Sequence, residues 1–157
     1  MMEISIKELQ SQPVLQVRTR TSLDRLPQVI GESYAKIANY MQSLGEKPAG
    51  VPYTAYYSLD MQDMDVEMGF PASKPLPEGR EVKAGEILAK AACAMYKGPY
   101  SGMEGAYNEI FKWIAERGLQ PKGVYYEHYY NSPQDVPENE LLTEIVIPLK
   151  QAPESNS

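Results

Sequence analysis

The sequence is poor in the residue types that many enzymes and extracellular proteins use for catalysis, metal binding and cross-linking. Its 157 residues include one cysteine, one histidine and one tryptophan. A single cysteine, Cys93, excludes an internal disulfide and predicts the reducing cytoplasm as the setting. A single histidine, His128, excludes a Ser-His-Asp triad, a Cys-His pair and a multi-histidine metal site. We therefore expect no cofactor and no metal, a core role for Cys93, and a packed or surface role for His128.

Long apolar runs and clustered positive charge are also missing. No stretch approaches the roughly 20 apolar residues that a membrane span needs, and the first residues do not form a basic region followed by an apolar stretch, so we expect neither a membrane segment nor a secretory signal. The chain has 15 basic and 21 acidic residues and a net charge of −6. Because nucleic-acid surfaces need clustered Lys and Arg, direct binding of nucleic acid is not expected.

What the chain does contain is ordinary globular composition with an excess of tyrosine. Hydrophobic residues make up 43% of the sequence, and 12 residues are tyrosine. The length suffices for one well-buried core, whereas either half alone would be marginal as an independent folder. An acidic, tyrosine-rich protein suits a cationic or polarised aromatic ligand, because aromatic faces attract positive charge.

A segment of the first half recurs in the second half. The matching pairs are Tyr34 with Tyr107, Ile37 with Ile110, Tyr40 with Trp113, Gly45 with Gly118, Pro48 with Pro121, and Gly50 with Gly123. We interpret the chain as a single domain, 1–157, with repeat halves of about 1–78 and 79–150, a proline-rich linker at 71–79 and a polar tail at 151–157 that frays. Similar halves of one small protein usually meet at a pseudo-twofold seam, where a ligand cleft would lie.

Apolar spacing predicts the same elements in both halves. Spacings of three and four indicate amphipathic helices at 29–44 and about 102–117, ended by Gly45 and Gly118. The predicted strands are 13–20, 51–57 and 65–71 in the first half, and 87–96, 124–130 and 142–149 in the second. The predicted class is α+β, built from duplicated β-α-β-β modules with antiparallel sheets and one long helix per half.

The alternation of strand side chains sorts the polar candidates by face. Tyr125, Glu127 and Tyr129 share one face of their strand. In the closing strands, Glu67 and Glu144 lie opposite the apolar residues that should cover the helices, so we expect both to point away from the helical layer. The repeat pairs Glu127 with Thr54, which predicts a charge in the second half that has no counterpart in the first half. Glu127 is either an exposed strand glutamate beside amphipathic tyrosines or a site carboxylate that binds a cation or acts as a general base.

Several spaced motifs of the second half resemble the GyrI-like family, the effector-binding domain attached to some AraC-type and MerR-type regulators that also occurs alone. The series covers most of residues 87–149. It consists, in order, of the residues at 96–100, 106–107, 113–114, 118, 126–133 and 140–148.

The resemblance implies a fold, a pocket and three candidate functions. The fold is a duplicated module whose two sheets cradle a central cleft with the helices packed behind. The pocket is aromatic-lined and acidic, and Glu127 matches its acidic residue in a Glu-x-Tyr strand motif. Family members bind bulky, often cationic compounds, hydrolyse strained cyclopropane rings with a carboxylate such as Glu127 as the base, or inhibit DNA gyrase.

The expected ligand is therefore a small lipophilic molecule, with DNA gyrase as a possible protein partner and the oligomeric state left open. The sequence does not separate binding from hydrolysis, because the same carboxylate serves both. Trp113 is either a core anchor or a platform for a ligand. The predicted ligand-binding residues are Glu127, Tyr125, Tyr129, Tyr56, Thr54, Glu67, Glu144 and Trp113.

Overall fold

The computed structural model describes residues 2–58, 60 and 62–150, and these residues form six β-strands and two α-helices. In chain order the elements are β1 (Ile4–Thr21), α1 (Leu26–Ser43), β2 (Tyr53–Tyr56), β3 (Met64–Pro71), β4 (Lys83–Lys97), α2 (Met103–Glu116), β5 (Tyr125–Tyr129) and β6 (Leu142–Pro148). The order β-α-β-β occurs twice, which confirms the predicted α+β class and the duplication. The tail predicted at 151–157 lies outside the described residues.

The chain forms two compact units. Gln10–Leu88 is the first unit, and the described residues on either side of it form the second unit. The predicted halves, 1–78 and 79–150, thus have different bounds from the compact units. The first unit begins at Gln10 rather than at residue 1, and it ends at Leu88 rather than at residue 78. Strand β1 begins at Ile4, whereas the predicted strand began at residue 13. Residues 4–12 have mostly exposed, polar side chains, so this segment lacks the sustained apolar alternation that predicts a strand.

The predicted linker at 71–79 is wrong, because this segment belongs to the first unit. Ala72 and Leu76 are only 2% and 9% exposed, and they pack in one cluster with Leu15, Ile37 and Met41. The prolines fix φ at about −65° and lack a backbone N–H, and residues 72–79 form neither helix nor strand. A segment without regular secondary structure can still lie across a core and bury an apolar side chain. A high proline content is therefore not sufficient to predict a linker.

Each unit contains a three-stranded antiparallel arrangement with the same order. In the first unit β3 lies between β1 and β2, and Met68 pairs with both Val17 and Thr54. In the second unit β6 lies between β4 and β5, and Ile145 pairs with both Ala94 and Glu127. Directly paired residues lie on the same face of a sheet. The register therefore fixes which strand side chains face each helix.

One helix covers one sheet face in each unit. Helix α1 buries Leu26, Ser33, Ile37 and Met41, and α2 buries Met103, Ala106, Ile110 and Ile114. Against α2 pack Ile145 and Ile147 of β6, and against α1 packs a group that includes Val66 and Met68 of β3. Burial of a large aliphatic side chain contributes about 1.5–3 kcal/mol. Among the described residues, neither helix is long and apolar enough to cross a bilayer.

Both helices end with the same capping geometry. Gly45 and Gly118 have φ angles of 72° and 70°, in the left-handed region that glycine adopts without a Cβ clash. The amide of Glu46 donates to the Met41 carbonyl at 2.9 Å, and the amide of Leu119 donates to the Ile114 carbonyl at 3.1 Å. These bonds form Schellman motifs that satisfy carbonyls at each helix end. The repeated glycine in the sequence thus predicted both helix ends.

Candidate functional site

Strand register places the predicted carboxylates on different sheet faces. Glu127 pairs with Ile145, whose side chain packs against α2, so Glu127 lies on the helix-covered face of the second unit. Glu144 pairs with His128 and lies on the opposite face. In the first unit, Glu67 alternates with Val66 and Met68, which pack with residues of α1, so Glu67 points away from the helix. The predicted orientation of Glu67 and Glu144 agrees with this register.

The Glu127 carboxylate accepts a tyrosine hydroxyl on each oxygen. Tyr107 of α2 donates to Oε2 at 2.7 Å, and Tyr129 of β5 donates to Oε1 at 2.7 Å. Burial raises the pKa of Glu127 above its ordinary value, although the two hydrogen bonds lower it. The outcome is a carboxylate whose charged form is oriented by two neutral donors and disfavoured by loss of water.

Further aromatic rings of the second unit contact the two tyrosines that bind this carboxylate. The Tyr125 ring lies 6.2 Å from the Tyr107 ring and 5.6 Å from the Phe111 ring, in both cases edge to face. Tyr100 lies 6.2 Å from Tyr129. Edge-to-face contacts at such distances add about 0.5–1.5 kcal/mol per pair beyond area burial. We call Glu127 together with Tyr107, Phe111, Tyr125 and Tyr129 the Glu127 cluster.

In the part of the chain that the structure describes, no ion pair supplies a basic partner for the Glu127 carboxylate. The ion pairs found across residues 2–58, 60 and 62–150 do not include Glu127. A partly desolvated carboxylate without a cation is costly, and a bound cation would lower that cost. The same group can also accept a proton from water, because a raised pKa makes a carboxylate a better base at neutral pH. Cation binding and general-base chemistry are both compatible with this arrangement.

The equivalent position in the first unit is neutral, as the repeat predicted. Tyr34 and Thr54 share a hydrogen bond of 2.9 Å between their hydroxyl oxygens, in the same helix-to-strand arrangement as Tyr107 and Glu127. Thr54 is completely buried, and Tyr34 and Tyr56 both pack against the cluster that contains Val66 and Met68. The helix tyrosine is therefore common to both units, while the carboxylate is confined to the second.

Glu67 is more deeply buried than Glu127 and has its own donors. It is 4% exposed, accepts the Tyr53 hydroxyl at 2.6 Å and accepts the Tyr57 hydroxyl at 3.0 Å. Gln16 adds two donations, at 2.6 Å and 3.0 Å, when its amide is turned so that the nitrogen faces the carboxylate. Burial raises the pKa of Glu67 above its ordinary value despite the tyrosine hydrogen bonds. Gly69 is required nearby, since a Cβ there would lie 2.5 Å from the Tyr53 ring.

Glu144 is the less deeply buried counterpart of Glu67. It accepts the Tyr130 hydroxyl at 3.3 Å, as Glu67 accepts Tyr57, and it forms a 3.5 Å ion pair with Lys7. The neighbouring His128 stacks on Tyr126 with ring centroids 6.4 Å apart. Burial lowers the pKa of His128, so its neutral form is favoured. This environment agrees with the predicted packed or surface role of His128.

Cys93 has an environment typical of a structural residue, and Trp113 is partly buried. Cys93 is 2% exposed, and burial raises the pKa of its thiol to about 11, so the thiolate needed for nucleophilic chemistry is not favoured. Trp113 is partly buried against the core of the second unit, and the Arg117 guanidinium lies 3.7 Å from the centre of its ring. Within the described ranges, no group of three or more His, Cys, Asp or Glu could hold a metal ion.

The structure unites some predicted site residues and separates others. In the second unit it brings Tyr125, Glu127 and Tyr129 to one face and leaves Glu144 on the other. Tyr107 and Phe111 were not among the predicted site residues, although the repeat pairing of Tyr34 with Tyr107 marked Tyr107 as a shared helix position. The roles of all these residues in ligand binding, and the cleft between the halves, stay predictions.

Solved structures with the same fold support the assignment of class. The C-terminal domain of EcmrR aligns with a TM-score of 0.79 and 20% identity, covering 97% of this chain and 99% of that chain. EcmrR in a DNA complex aligns with a TM-score of 0.83 and 19% identity, covering 96% of this chain, which spans only 58% of that chain. At these identities the likeness shows the fold alone.

Two further solved structures have a similar fold. A hydrolase from Listeria innocua aligns with a TM-score of 0.70 and 15% identity, covering 94% of this chain and 92% of that chain. SAV2435 bound to tetraphenylphosphonium aligns with a TM-score of 0.65 and 13% identity, covering 94% of both chains. Comparison with curated proteins gives no match. Because the family model for the GyrI-like small molecule binding domain matches residues 2–150, this protein belongs to the GyrI-like family.

Proposed function

We propose that this GyrI-like small-molecule-binding domain takes bulky, lipophilic cations at the Glu127 cluster, as a drug sensor or a sequestering module. One observation carries the proposal. The Glu127 carboxylate is oriented by the hydroxyls of Tyr107 and Tyr129 at 2.7 Å, and the ion pairs of the described residues leave it without a cation. A ligand with a positive charge would supply that missing partner.

Two physical terms would drive such binding. Burial of the ligand's apolar surface contributes roughly 25 cal/mol per Å², and the carboxylate and tyrosine faces favour positive charge over neutral or negative charge. Because burial has already raised the pKa of Glu127, much of the cost of removing water from the carboxylate is met before the ligand arrives. A cation in contact with Glu127 would lower its pKa and favour the ionised form.

Two ligands of the same shape and opposite charge test the proposal. Tetraphenylphosphonium, which SAV2435 binds, and tetraphenylborate present equal apolar surfaces. We expect calorimetric titration to show binding of the phosphonium at least tenfold tighter than the borate. Glu127→Gln should narrow this ratio, because the carboxylate charge is lost while the shape is kept. Glu109→Gln removes an equal charge from an exposed position of α2 and should leave the ratio unchanged. An unchanged ratio in Glu127→Gln would exclude the electrostatic role.

Hydrolysis of cyclopropane-bearing alkylators at the same cluster is the second candidate function. The raised pKa of Glu127 favours it, because a carboxylate with a higher pKa removes a proton from water more readily. In this reaction the water oxygen bonds to the strained ring carbon, its proton passes to Glu127, and the electrons of the broken ring bond pass to the substrate's conjugated carbonyl. Tyr125 or Tyr129 could polarise that group. The fold is shared with the hydrolase from Listeria innocua.

Mass spectrometry separates the two functions. Incubation with a cyclopropane-bearing alkylator should give either intact ligand retained by the protein or a product heavier by one water. If hydrolysis occurs, we expect Glu127→Gln to lower turnover by roughly 10²- to 10⁴-fold, the range for general-base catalysis, with binding largely kept. Normal turnover in Glu127→Gln would remove Glu127 from the mechanism.

A further inference from the structure

Tyr100 lies at the edge of the Glu127 cluster on a short helical turn. The turn Tyr100–Gly102 directly precedes α2, and the Tyr100 side chain is 43% exposed. Its ring lies 6.2 Å from the Tyr129 ring at 71°, and Tyr129 is a donor to Glu127. Burial and the charge of Glu127 both raise the pKa of the Tyr100 hydroxyl, which indicates that the two groups share an electrostatic environment. Tyr100 thus has one side against the cluster and one toward solvent.

The turn that carries Tyr100 is held by contacts on both sides. The Tyr96 hydroxyl donates to the Pro99 carbonyl at 2.7 Å, and the Gly98 amide donates to the Leu141 carbonyl at 2.9 Å. Gly102 is required in this turn because a Cβ there would overlap the Tyr96 hydroxyl. These contacts fix the backbone on which Tyr100 stands, so its ring is presented to the cluster by a defined turn.

The first unit also has a short helical turn directly before its helix, and that turn has no aromatic ring. There the short helical turn Leu23–Arg25 precedes α1, and Leu23 is 46% exposed. The repeat register that pairs Tyr34 with Tyr107 pairs Tyr100 with Pro27, so the first unit has no aromatic ring at the corresponding position. The difference parallels that between Thr54 and Glu127, since the second unit has both the carboxylate and the exposed ring.

We propose that Tyr100 is a specificity-determining residue that makes the Glu127 cluster select cations bearing aromatic rings over alkyl cations of equal charge. The inference rests on the proposed function, because it concerns the same ligand site. An exposed ring held edge to face against Tyr129 offers its free face to an aryl group of the ligand, which gains the stacking contact in addition to charge attraction. A tetraalkyl cation has no ring and gains only apolar contact.

Two phosphonium ions test this role. Tetraphenylphosphonium and tetrabutylphosphonium carry the same charge, and calorimetric titration measures both affinities. We expect Tyr100→Ala to weaken tetraphenylphosphonium binding by roughly 3- to 10-fold, as loss of one stacked ring predicts, and tetrabutylphosphonium binding by less than about twofold. Tyr100→Phe keeps the ring and should retain both affinities. Leu23→Ala, in the turn directly before α1, removes an exposed apolar side chain of the first unit and should change neither.

The outcomes separate the inference from the proposed function. If wild type binds neither phosphonium, the proposed function fails. If wild type binds both and Tyr100→Ala weakens them equally or not at all, the role of Tyr100 is overturned while the proposed function stands. If Tyr100→Ala lowers the folded fraction, Tyr100→Leu replaces it, because leucine keeps apolar bulk without a ring. The same two phosphonium affinities are then compared with wild type.

Discussion

At the scale of single residues, opposing effects set the state of Glu127. The hydroxyls of Tyr107 and Tyr129 stabilise the carboxylate by hydrogen bonding, and burial destabilises it by removing water. Burial has the larger effect, so the pKa is raised. Glu67 shows the same balance with Tyr53 and Tyr57. Tyrosine is an effective donor here because it brings a neutral hydroxyl and an apolar ring to the same buried place.

The raised pKa predicts how Glu127→Gln changes stability with pH. A carboxyl whose folded pKa lies above its unfolded value stabilises the fold fully below the unfolded pKa, and this contribution is lost as pH rises through the folded pKa. Glutamine does not titrate. We therefore expect Glu127→Gln to have a higher Tm than wild type at pH 8, and the difference to shrink as pH falls toward 4. Scanning calorimetry across this range measures it. A lower Tm than wild type at pH 8 would contradict the assigned direction.

Removal of single hydroxyls from the helix tyrosines gives a matched comparison. Tyr107→Phe deletes a donor to a carboxylate, and Tyr34→Phe deletes the partner of the neutral Thr54. Hydrogen bonds to charged groups contribute about 1.5–3 kcal/mol and neutral ones about 0.5–1.5 kcal/mol. Urea unfolding should therefore show a larger loss for Tyr107→Phe at pH 8 than at pH 5, and a loss for Tyr34→Phe that is independent of pH. Equal, pH-independent losses would argue against an ionised Glu127.

At the scale of elements, the helix ends show how local sequence fixes structure. Gly45 and Gly118 close equivalent Schellman motifs, and a Cβ at either position would meet nothing within 4 Å. Space is therefore not the reason for glycine at these positions. Their φ angles of 72° and 70° are the reason, because side chains disfavour the left-handed region.

Alanine substitutions test this account of the helix ends. We expect Gly45→Ala and Gly118→Ala each to lower the free energy of unfolding by about 1 kcal/mol, the cost of a left-handed residue with a Cβ. Gly31→Ala lies inside α1 with open space around its Cβ and should raise stability by about 0.5–1 kcal/mol. Urea unfolding measures all three. An unchanged free energy of unfolding in Gly118→Ala would show that a side chain does not strain the backbone at this position.

At the scale of the whole molecule, each unit has its own apolar cluster. Ile37 belongs to a cluster of the first unit and Ile110 to the cluster of the second unit, and both are completely buried. The clusters share no residue. Substitutions without shared partners usually add, whereas residues in contact do not.

A double substitution tests the independence of the two clusters. Ile37→Val and Ile110→Val should each cost about 0.5–1.5 kcal/mol, the usual effect of deleting one buried methyl. The double variant should cost the sum within about 0.5 kcal/mol. Urea unfolding gives the three values, provided that each curve shows one transition. A clear departure from the sum would indicate energetic coupling between these positions.

Much of the fold was readable from the repeat and the spacing of apolar residues. Helices α1 and α2, both glycine ends and the β-α-β-β order follow from local patterns, because helix and strand periodicities act within short segments. The extent of β1 and the burial of Leu76 did not follow, because polar strand residues and proline-rich chain carry no such pattern. The pairing of Thr54 with Glu127 in the repeat predicted which unit would hold the charge.

The sequence by itself determined the duplication, the helix ends and the position of the strand carboxylate Glu127, which the first half replaces with Thr54, since all three are properties of local pattern. Only the tertiary structure decided the environment of that carboxylate. Strand register placed Glu127 on the helix-covered face, and packing of α2 brought the Tyr107 hydroxyl to 2.7 Å from it. Hydrogen-bond partners and loss of water depend on residues far apart in the chain, and these set the pKa and chemistry of the group.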